Sequence, residues 1–519
     1  MAKAQKTRAS KNPYISPQQM TIEGFESPFT KLLDPNNRWV VLAHKIPWDL
    51  LVSVYEGQMH NSQTGAGNIN PRVAIGALIL KHISNIGDAE TVMHIQENIY
   101  MQYFIGYSSF SPEAPFDPSL FVEFRKRLGI EQINSINEKI LGLCINKDVE
   151  KKEGIESSQE HHNNSDEVTS LEQGVAPPEQ TVTNKGTLIS DASACPQDIA
   201  YPTDLDLLNS AREKSEELID VLYSKPLHKK KPRTYREVAH KKYLHTAQKK
   251  VKSKKEIHNA VKKQLGFLRR NLKSINKLLD EYSHIPLDRH QLKYLFVINT
   301  VFEQQIKMFT EGSHSIENRI VSIHQPHVRP IVRGKTNANV EFGAKIQVSL
   351  MNGYAFLDDL SWEAFNEGTR LMTTVEKYKE RFGYYPEEVL VDKIYCTRSN
   401  RAELKPLGIK LRAKPLGRPK AVDVEHVRPG ERNPIEGKFG QAKTRYGMNR
   451  IKARLQETSE SWIATIVLVL NLIKLIGSGA YCQILREFTY SVRVAMLVQR
   501  LVKAKITKKM WLNFDEMVL

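Results

Sequence analysis

The chain has 519 residues, of which 40% are hydrophobic and 26% charged, and its formal net charge is +17. This composition is that of folded globular domains and excludes a disordered or collagen-like chain. Four cysteines stand far apart without a CxxC pair, so neither a disulfide framework nor a zinc site is indicated. The positive charge predicts a polyanionic partner, nucleic acid before an anionic membrane surface.

The first residues are basic, but no apolar run follows them, so we predict no signal peptide and a cytoplasmic location. The longest apolar stretch, residues 462–475, contains Asn471 and Lys474. It is short for a bilayer span of about 20 residues. We therefore expect a buried helix there and no membrane partner.

Residues 1–145 are predicted to form an all-α domain. Helix start signals stand at Asn70-Pro71, Gly87-Asp88 and Asp117-Pro118, each followed by apolar residues at helical spacing. Helices joined by short turns are compatible with a DNA-binding helix-turn-helix, but a plain helical bundle has the same pattern.

Residues 146–184 are polar and almost free of aromatic residues, which predicts a flexible linker. The neighbouring His161 and His162 in this segment are read as solvated linker residues rather than as a metal site.

An α/β pattern begins after the linker. Two short apolar runs, each predicted to be a strand that ends on an acid, lead to Asp191 and Asp392. Asn352-Gly353 marks the turn of a hairpin, and a helix is expected over 362–381. The run 389–391 is wholly apolar, which favours a mixed sheet flanked by helices.

A long helical insertion, about 204–323, separates the first strand from the hairpin. Apolar residues over 261–279 follow the 4-3-4-3-4 spacing of a helical hairpin seam, with 295–302 as the return partner. Between Lys225 and Lys273 stand 18 basic residues and only two acids.

So dense a positive charge repels itself unless an anion is present, and a phosphate backbone is the natural counter-charge. A merely solvated helix face is the alternative. The residues assigned to DNA binding in this insertion are Lys249, Lys250, Lys254, Lys255, Lys262, Lys263, Arg269 and Arg270.

After the second acid, a further helix is predicted to start with Asn433 as its N-cap residue and Pro434 in the first helical position. Helical spacing places four residues on one face: Glu436, Gly440, Lys443 and Gly447. Asn433 and Glu436 also fit a capping box, which would make Glu436 structural.

Two acids at strand ends and one on a nearby helix are suitable ligands for a pair of Mg²⁺ ions, for which Mn²⁺ can substitute. If the two strands are neighbours, Asp191 and Asp392 would converge, and Glu436 could complete the site. Spacing alone is not specific, because the chain has 58 acidic residues.

The residues around Glu436 resemble the signature of a known family. Arg432, Glu436 and Lys443 stand at the Arg, Glu and Lys positions of the Y-x2-R-x3-E-x6-K signature of bacterial insertion-sequence transposases of the DDE class. Residues 391–395 resemble the second-acid segment of that family, and residues 188–193 the first. The helical N-terminus is similar to the N-terminal domain that accompanies this catalytic domain.

The resemblance implies a ribonuclease-H-like domain over 185–480, interrupted by the basic insertion, and a helical tail over 481–519. It implies a nucleoid-associated transposase that binds the terminal inverted repeats of its own element. Such an enzyme cleaves DNA and joins the 3′ hydroxyl ends to target DNA, using two Mg²⁺ ions, as a homodimer or higher oligomer.

By the same match, three acids would form the catalytic, metal-binding triad, namely Asp191, Asp392 and Glu436. Arg432 and Lys443 would contact DNA. One departure is that Pro429 stands where the signature has Tyr. Two alternatives stay open: a metal-dependent nuclease or resolvase without strand transfer, and a non-catalytic DNA-binding protein.

Overall fold

The computed structural model describes residues 33–58, 68–141, 184–335, 338–413 and 430–477. Three predictions concern positions outside these ranges: nearly all of the linker, the C-terminal tail, and the substitution of Pro429 for the signature Tyr.

The described part of the N-terminal region is helical. Its helices are α1 Arg38–Lys45, α2 Trp48–Glu56, α3 Pro71–Ser84, α4 Asp88–Glu97, α5 Ile99–Phe104, α6 Leu120–Arg127 and α7 over 130–141. Asn70 caps α3 through its side chain, which accepts a hydrogen bond from the Arg72 N–H at 2.9 Å, as the start signal predicted. The third signal is displaced, because a turn held by the Asp117 side chain comes before α6.

Six strands form one sheet in the described chain. They are β1 Thr187–Pro196, β2 Arg329–Lys335, β3 Ala338–Met351, β4 Tyr354–Ser361, β5 Glu388–Leu390 and β6 Lys410–Arg412. Antiparallel β1 lies on one edge of β3, while antiparallel β2 and β4 share its other edge. Beyond β1 follow β5 and β6, both parallel to it. The predicted mixed α/β architecture is confirmed.

The β3–β4 hairpin turns at Asn352 (φ 49°) and Gly353 (φ 74°), which is the left-handed pair that this turn requires. The helix expected over 362–381 begins later. A short 3₁₀ turn precedes α12, which spans Leu371–Phe382, because the Asn366 side chain caps that turn by accepting from the Gly368 N–H.

Sequence patterns missed β2 and β6. Strand β2 contains Pro330 and Gly334, which read as turn residues, and β6 has only three residues.

The insertion is helical, as predicted. It contains α8 Asp204–Leu222, α9 Arg236–Ala247, α10 Lys254–Asp280 and α11 Arg289–Glu311. The apolar seam of α10 is buried, with Leu268 and Ile275 fully enclosed, and Ile298 of α11 belongs to the same cluster. Helix α10 packs mainly against α8, however, so the seam has a second partner that the hairpin hypothesis did not include.

Helix α13, Arg398–Leu404, lies between β5 and β6 in the chain. Two described helices follow β6, namely α14, Asn433–Arg445, and α15, Gln456–Gly477. The window Gln456–Leu475 is long and apolar enough to cross a membrane by length and composition, but 83% of it is buried inside the fold. The apolar stretch is therefore a core helix, as expected.

Helix α15 connects the N-terminal helices to the sheet, and all of them contribute to one hydrophobic core. Trp462 of α15 lies beneath Lys81 and Arg125, whose charged groups are 4.2 and 4.9 Å from the ring centre. His82 meets the same ring edge-on at 5.0 Å.

Candidate active site

Asp191 and Asp392 lie at equivalent positions on two neighbouring parallel strands. Ile189 of β1 pairs with Leu390 of β5, and each aspartate stands two residues beyond its member of that pair. Because side chains alternate along an extended chain, both carboxylates are on the same face. The expectation that the first strand ends at its acid was wrong, since β1 continues along β3 to Pro196.

Arg432 joins the two carboxylates. One guanidinium nitrogen donates to Asp191 Oδ2 at 3.1 Å, and the other is 3.1 Å from Asp392 Oδ1. Asp191 and Arg432 are 19% and 17% exposed, whereas Asp392 is 52% exposed. Three of the residues singled out in the sequence are thus brought together, and the two carboxylates are no further apart than one guanidinium can bridge.

Glu436 lies one helical turn beyond Arg432 on α14 and is exposed. The N-cap is Arg432 rather than Asn433, because the αR backbone of Arg432 (φ −90°, ψ −9°) starts the turn one residue earlier. The helix has no side-chain cap hydrogen bond, so the capping-box interpretation of Glu436 is wrong.

The helical face predicted for α14 is also shorter than expected. The helix ends at Arg445, and Gly447 follows it in a left-handed conformation (φ 74°) that helical residues do not adopt. Gly440 lies on the exposed surface, with open space where a side chain would stand. Lys443 is half-buried on the same helix.

Within the five described ranges, no three His, Cys, Asp or Glu side chains lie close enough together to hold one metal ion. The two aspartates and Glu436 nonetheless offer only carboxylate oxygens, which are the ligands that hard divalent cations prefer. In chemistry the donor set fits Mg²⁺, although the structure does not bring Glu436 to the aspartate pair.

Burial perturbs the acidity of Asp191. Desolvation raises the pKa of its carboxyl group to about 6, although a hydrogen bond from the Ala192 N–H and the charge of Arg432 act in the opposite direction. The neighbouring carboxylates of Glu367 and Asp392 raise it further. A raised carboxyl pKa next to a second acid and an arginine is typical of functional sites.

A buried polar network beneath the aspartates was not found in the sequence. Gln347 of β3 donates to Ser190 Oγ at 2.7 Å and exchanges hydrogen bonds with the Tyr395 hydroxyl at 2.9 and 3.1 Å. Gln347, Ser190 and Tyr395 are all fully buried. Since Ser190 precedes Asp191 and Tyr395 follows Asp392 by three residues, the network connects the segments that carry both acids. The one sequence signal for this network was Gln347, a polar residue within a predicted strand.

A second arginine fixes the start of α14 to the sheet. Arg412 of β6 pairs with Glu388 of β5 at 2.9 Å and with Glu431 at 2.8 Å. Because Glu431 precedes Arg432, these bonds help to hold Arg432 beside the aspartates.

The basic residues of the insertion lie mostly on its surface. Lys249 is partly covered and pairs with Glu256 at 2.6 Å, next to the Ser253 capping box of α10. The other seven assigned residues are exposed, namely Lys250, Lys254, Lys255, Lys262, Lys263, Arg269 and Arg270. Arg270 also packs over the rings of Tyr235 and Phe267 at 4.9 and 4.8 Å. These eight residues are called the basic surface below.

Fold and site together define an α/β protein with paired carboxylates at equivalent positions along two neighbouring parallel strands and a basic surface on a helical insertion. Residues 27–127 match the family model described as "Transposase domain (DUF772)", and residues 389–473 match the model described as "Transposase DDE domain". The resemblance to the DDE transposases of insertion sequences is thereby confirmed. The second match includes Asp392, Arg432 and Glu436, whereas Asp191 lies outside it.

Among curated proteins, the chain is similar to "Uncharacterized protein ORF8 in nfe locus" of Rhizobium meliloti. The two are 27% identical over 132 residues, which are 25% of this chain and 63% of that relative. No solved structure shows a significant match to the chain.

Proposed function

We propose that this protein is an active transposase that binds the ends of its own insertion sequence, cleaves the DNA there and joins the 3′ hydroxyl ends to target DNA. One observation carries the proposal: Asp191 and Asp392 stand at equivalent positions on neighbouring parallel strands, and both pair with Arg432 of the signature helix. The transposase family models matched by the chain support the same conclusion.

We assign a ribonuclease-H-like fold to the catalytic domain, 185–480. The support is the strand order β4-β3-β1-β5-β6, in which an antiparallel hairpin lies on one side of β1 and two parallel strands lie on the other. The helical insertion enters this domain between β1 and β2.

Asp191, Asp392 and Glu436 would hold Mg²⁺, or Mn²⁺ in its place. Bound there, a divalent cation supplies a lowered pKa for an attacking water or hydroxyl and charge stabilisation for the leaving oxygen. Asp191 and Asp392 are preorganised for this role by the sheet and by the buried Gln347. Glu436, on the exposed face of α14, would have to approach the pair from the helix side, and Lys443 would contact a phosphate further along the DNA.

The basic surface would bind the phosphate backbone, and the helices of residues 1–145 would recognise the element ends. Joining two ends requires both to be held at once, so the working form is a homodimer or a higher oligomer.

The test is cleavage of labelled DNA that carries the element end, with Mg²⁺ or with EDTA. Asp191→Asn, Asp392→Asn and Glu436→Gln should each reduce cleavage by at least about a thousandfold while DNA affinity stays unchanged, because each removes one oxygen ligand without touching the basic surface. Asp198→Asn is the matched control, since Asp198 pairs with Arg450 outside the site. Cleavage at the wild-type rate in any of the three variants would remove that residue from the triad.

One observation favours the non-catalytic alternative, a protein that only occupies element ends. Glu436 is exposed and is not grouped with the two aspartates in the described residues. The same assay decides: selective binding without cleavage in any divalent metal would establish that alternative. Cleavage without joined products would instead identify a nuclease or resolvase.

A further inference from the structure

Arg432 occupies the position between two acids that a metal ion would also need. Its guanidinium contacts Asp191 Oδ2 and Asp392 Oδ1, both at 3.1 Å. A cation bound to the same two oxygens would meet the positive charge of Arg432 at contact distance. Two positive groups cannot share these oxygens without strong repulsion, since the pair is only partly open to water.

We propose that Arg432 closes the acidic site in the DNA-free protein by competing with the divalent cation for Asp191 and Asp392. This inference rests on the proposed function, because it takes the aspartate pair as the metal site. Arg432 is then a positioning residue whose departure opens the site, in addition to any contact that it makes with DNA.

Two features weaken the hold on Arg432 in this position. The Arg432 Nε–H is buried and has no hydrogen-bond partner among the described residues, so the guanidinium is not fully satisfied there. Asp392 is 52% exposed, so its half of the bridge is in contact with solvent. Exposed ion pairs contribute little and exchange readily.

Arg432 also has the means to move without unfolding its helix. It is the N-cap residue of α14, and no side-chain cap hydrogen bond depends on it. The start of the helix remains attached to the sheet through the pairing of Glu431 with Arg412. The side chain can therefore swing away while α14 stays in place.

The experiment is a titration of the metal-free full-length protein with Mn²⁺, without DNA, in which free Mn²⁺ is followed by electron paramagnetic resonance. Arg432→Gln should bind Mn²⁺ about tenfold more tightly than the wild type, the size expected when one competing contact is removed. Arg432→Lys, which keeps the charge but cannot bridge both carboxylates as a fork, should give a smaller gain, about threefold.

Arg319→Gln is the matched control. Arg319 has a similar side-chain exposure, 23%, and pairs at 2.7 Å with a carboxylate of the helical insertion, that of Asp204, so it contacts neither aspartate. Its Mn²⁺ affinity should stay within about twofold of the wild type, since only the long-range effect of one lost charge remains. Thermal melts of each variant verify folding.

Equal or weaker Mn²⁺ binding by Arg432→Gln, relative to Arg319→Gln, would overturn the competition and make Arg432 a support of the metal site. The failure of the proposed function has a different outcome. If Asp191→Asn leaves Mn²⁺ binding unchanged in both the wild-type and the Arg432→Gln backgrounds, the aspartate pair is not the metal site, and both proposals are wrong.

Discussion

At the scale of single residues, uncharged side chains help to hold the two aspartates in place. Gln347 reaches from β3 to Ser190 on one side and to Tyr395 on the other, so a single amide connects the two acid-bearing segments. All three groups are buried, where an unpaired polar atom is costly. The position of the carboxylates therefore depends on residues that do not themselves touch a substrate.

Tyr395→Phe tests this dependence. Loss of the hydroxyl should lower the free energy of unfolding by about 1 to 2 kcal/mol, because the Gln347 amide loses a buried partner. It should also weaken metal-dependent cleavage, as Asp392 becomes less firmly held. Chemical denaturation and the element-end cleavage assay measure the two effects.

Tyr378→Phe is the matched control for Tyr395→Phe. Its hydroxyl donates to the Lys185 carbonyl at 2.8 Å, remote from the aspartates. A similar loss of stability with unchanged cleavage is expected. Equal loss of cleavage in both variants would mean that the network acts only through global stability.

At the scale of elements, α10 has two faces with different tasks. Its apolar seam is buried against α8 and α11, and its basic residues lie outside. Lys249, which lies just before α10, forms an ion pair with Glu256 and so stabilises the start of the helix instead. Six neighbouring lysines remain exposed to solvent, which is where a phosphate backbone could reach them: Lys250, Lys252, Lys254, Lys255, Lys262 and Lys263.

Replacing Lys254, Lys255 and Lys262 by Gln should weaken the salt dependence of DNA binding. In a plot of the logarithm of DNA affinity against the logarithm of salt concentration, the slope should become less steep by up to about 3, because each phosphate contact contributes about 0.9. Fluorescence anisotropy with a random-sequence duplex measures the slope. An unchanged slope would mean that this surface is only solvated.

A matched triple variant is available on α10 and its neighbour α11. Lys277, Lys293 and Lys307 of α10 and α11 are also exposed but lie outside the basic surface. Their replacement by Gln should leave the slope unchanged if contact, rather than net charge, determines it.

On the scale of the whole molecule, the N-terminal helices and the sheet are one packed body in the described residues. Trp462 of α15 is buried beneath Lys81 of α3 and Arg125 of α6, and both of these cations also pair with Asp88. Because desolvation exceeds the effect of Asp88, the pKa of Lys81 falls to about 8. The packing at Trp462 therefore joins the N-terminal helices to the helix that supports the sheet.

Trp462→Ala should cost about 3 to 5 kcal/mol of stability and loosen both regions together. Hydrogen exchange should rise in α3 and in α15 alike. Trp48→Ala is the control, since Trp48 is equally buried and lies beneath Arg72, but it packs within the N-terminal helices. If Trp462→Ala raised hydrogen exchange in α3 alone, the N-terminal helices and the sheet would not be stabilised as one packed body.

The sequence by itself determined the order of four of the six described strands, the helical insertion, the hairpin turn at Asn352-Gly353 and the residues Asp191, Asp392 and Arg432 that meet in the site. These depend on local rules, such as turn preferences, hydrophobic periodicity and a signature within one helix. Only the tertiary structure decided the extension of β1 past Asp191, the strands β2 and β6, and the bridge from Arg432 to both aspartates. Pairing across the sheet joins residues about 200 positions apart, and no local pattern encodes which strand completes which hydrogen bonds.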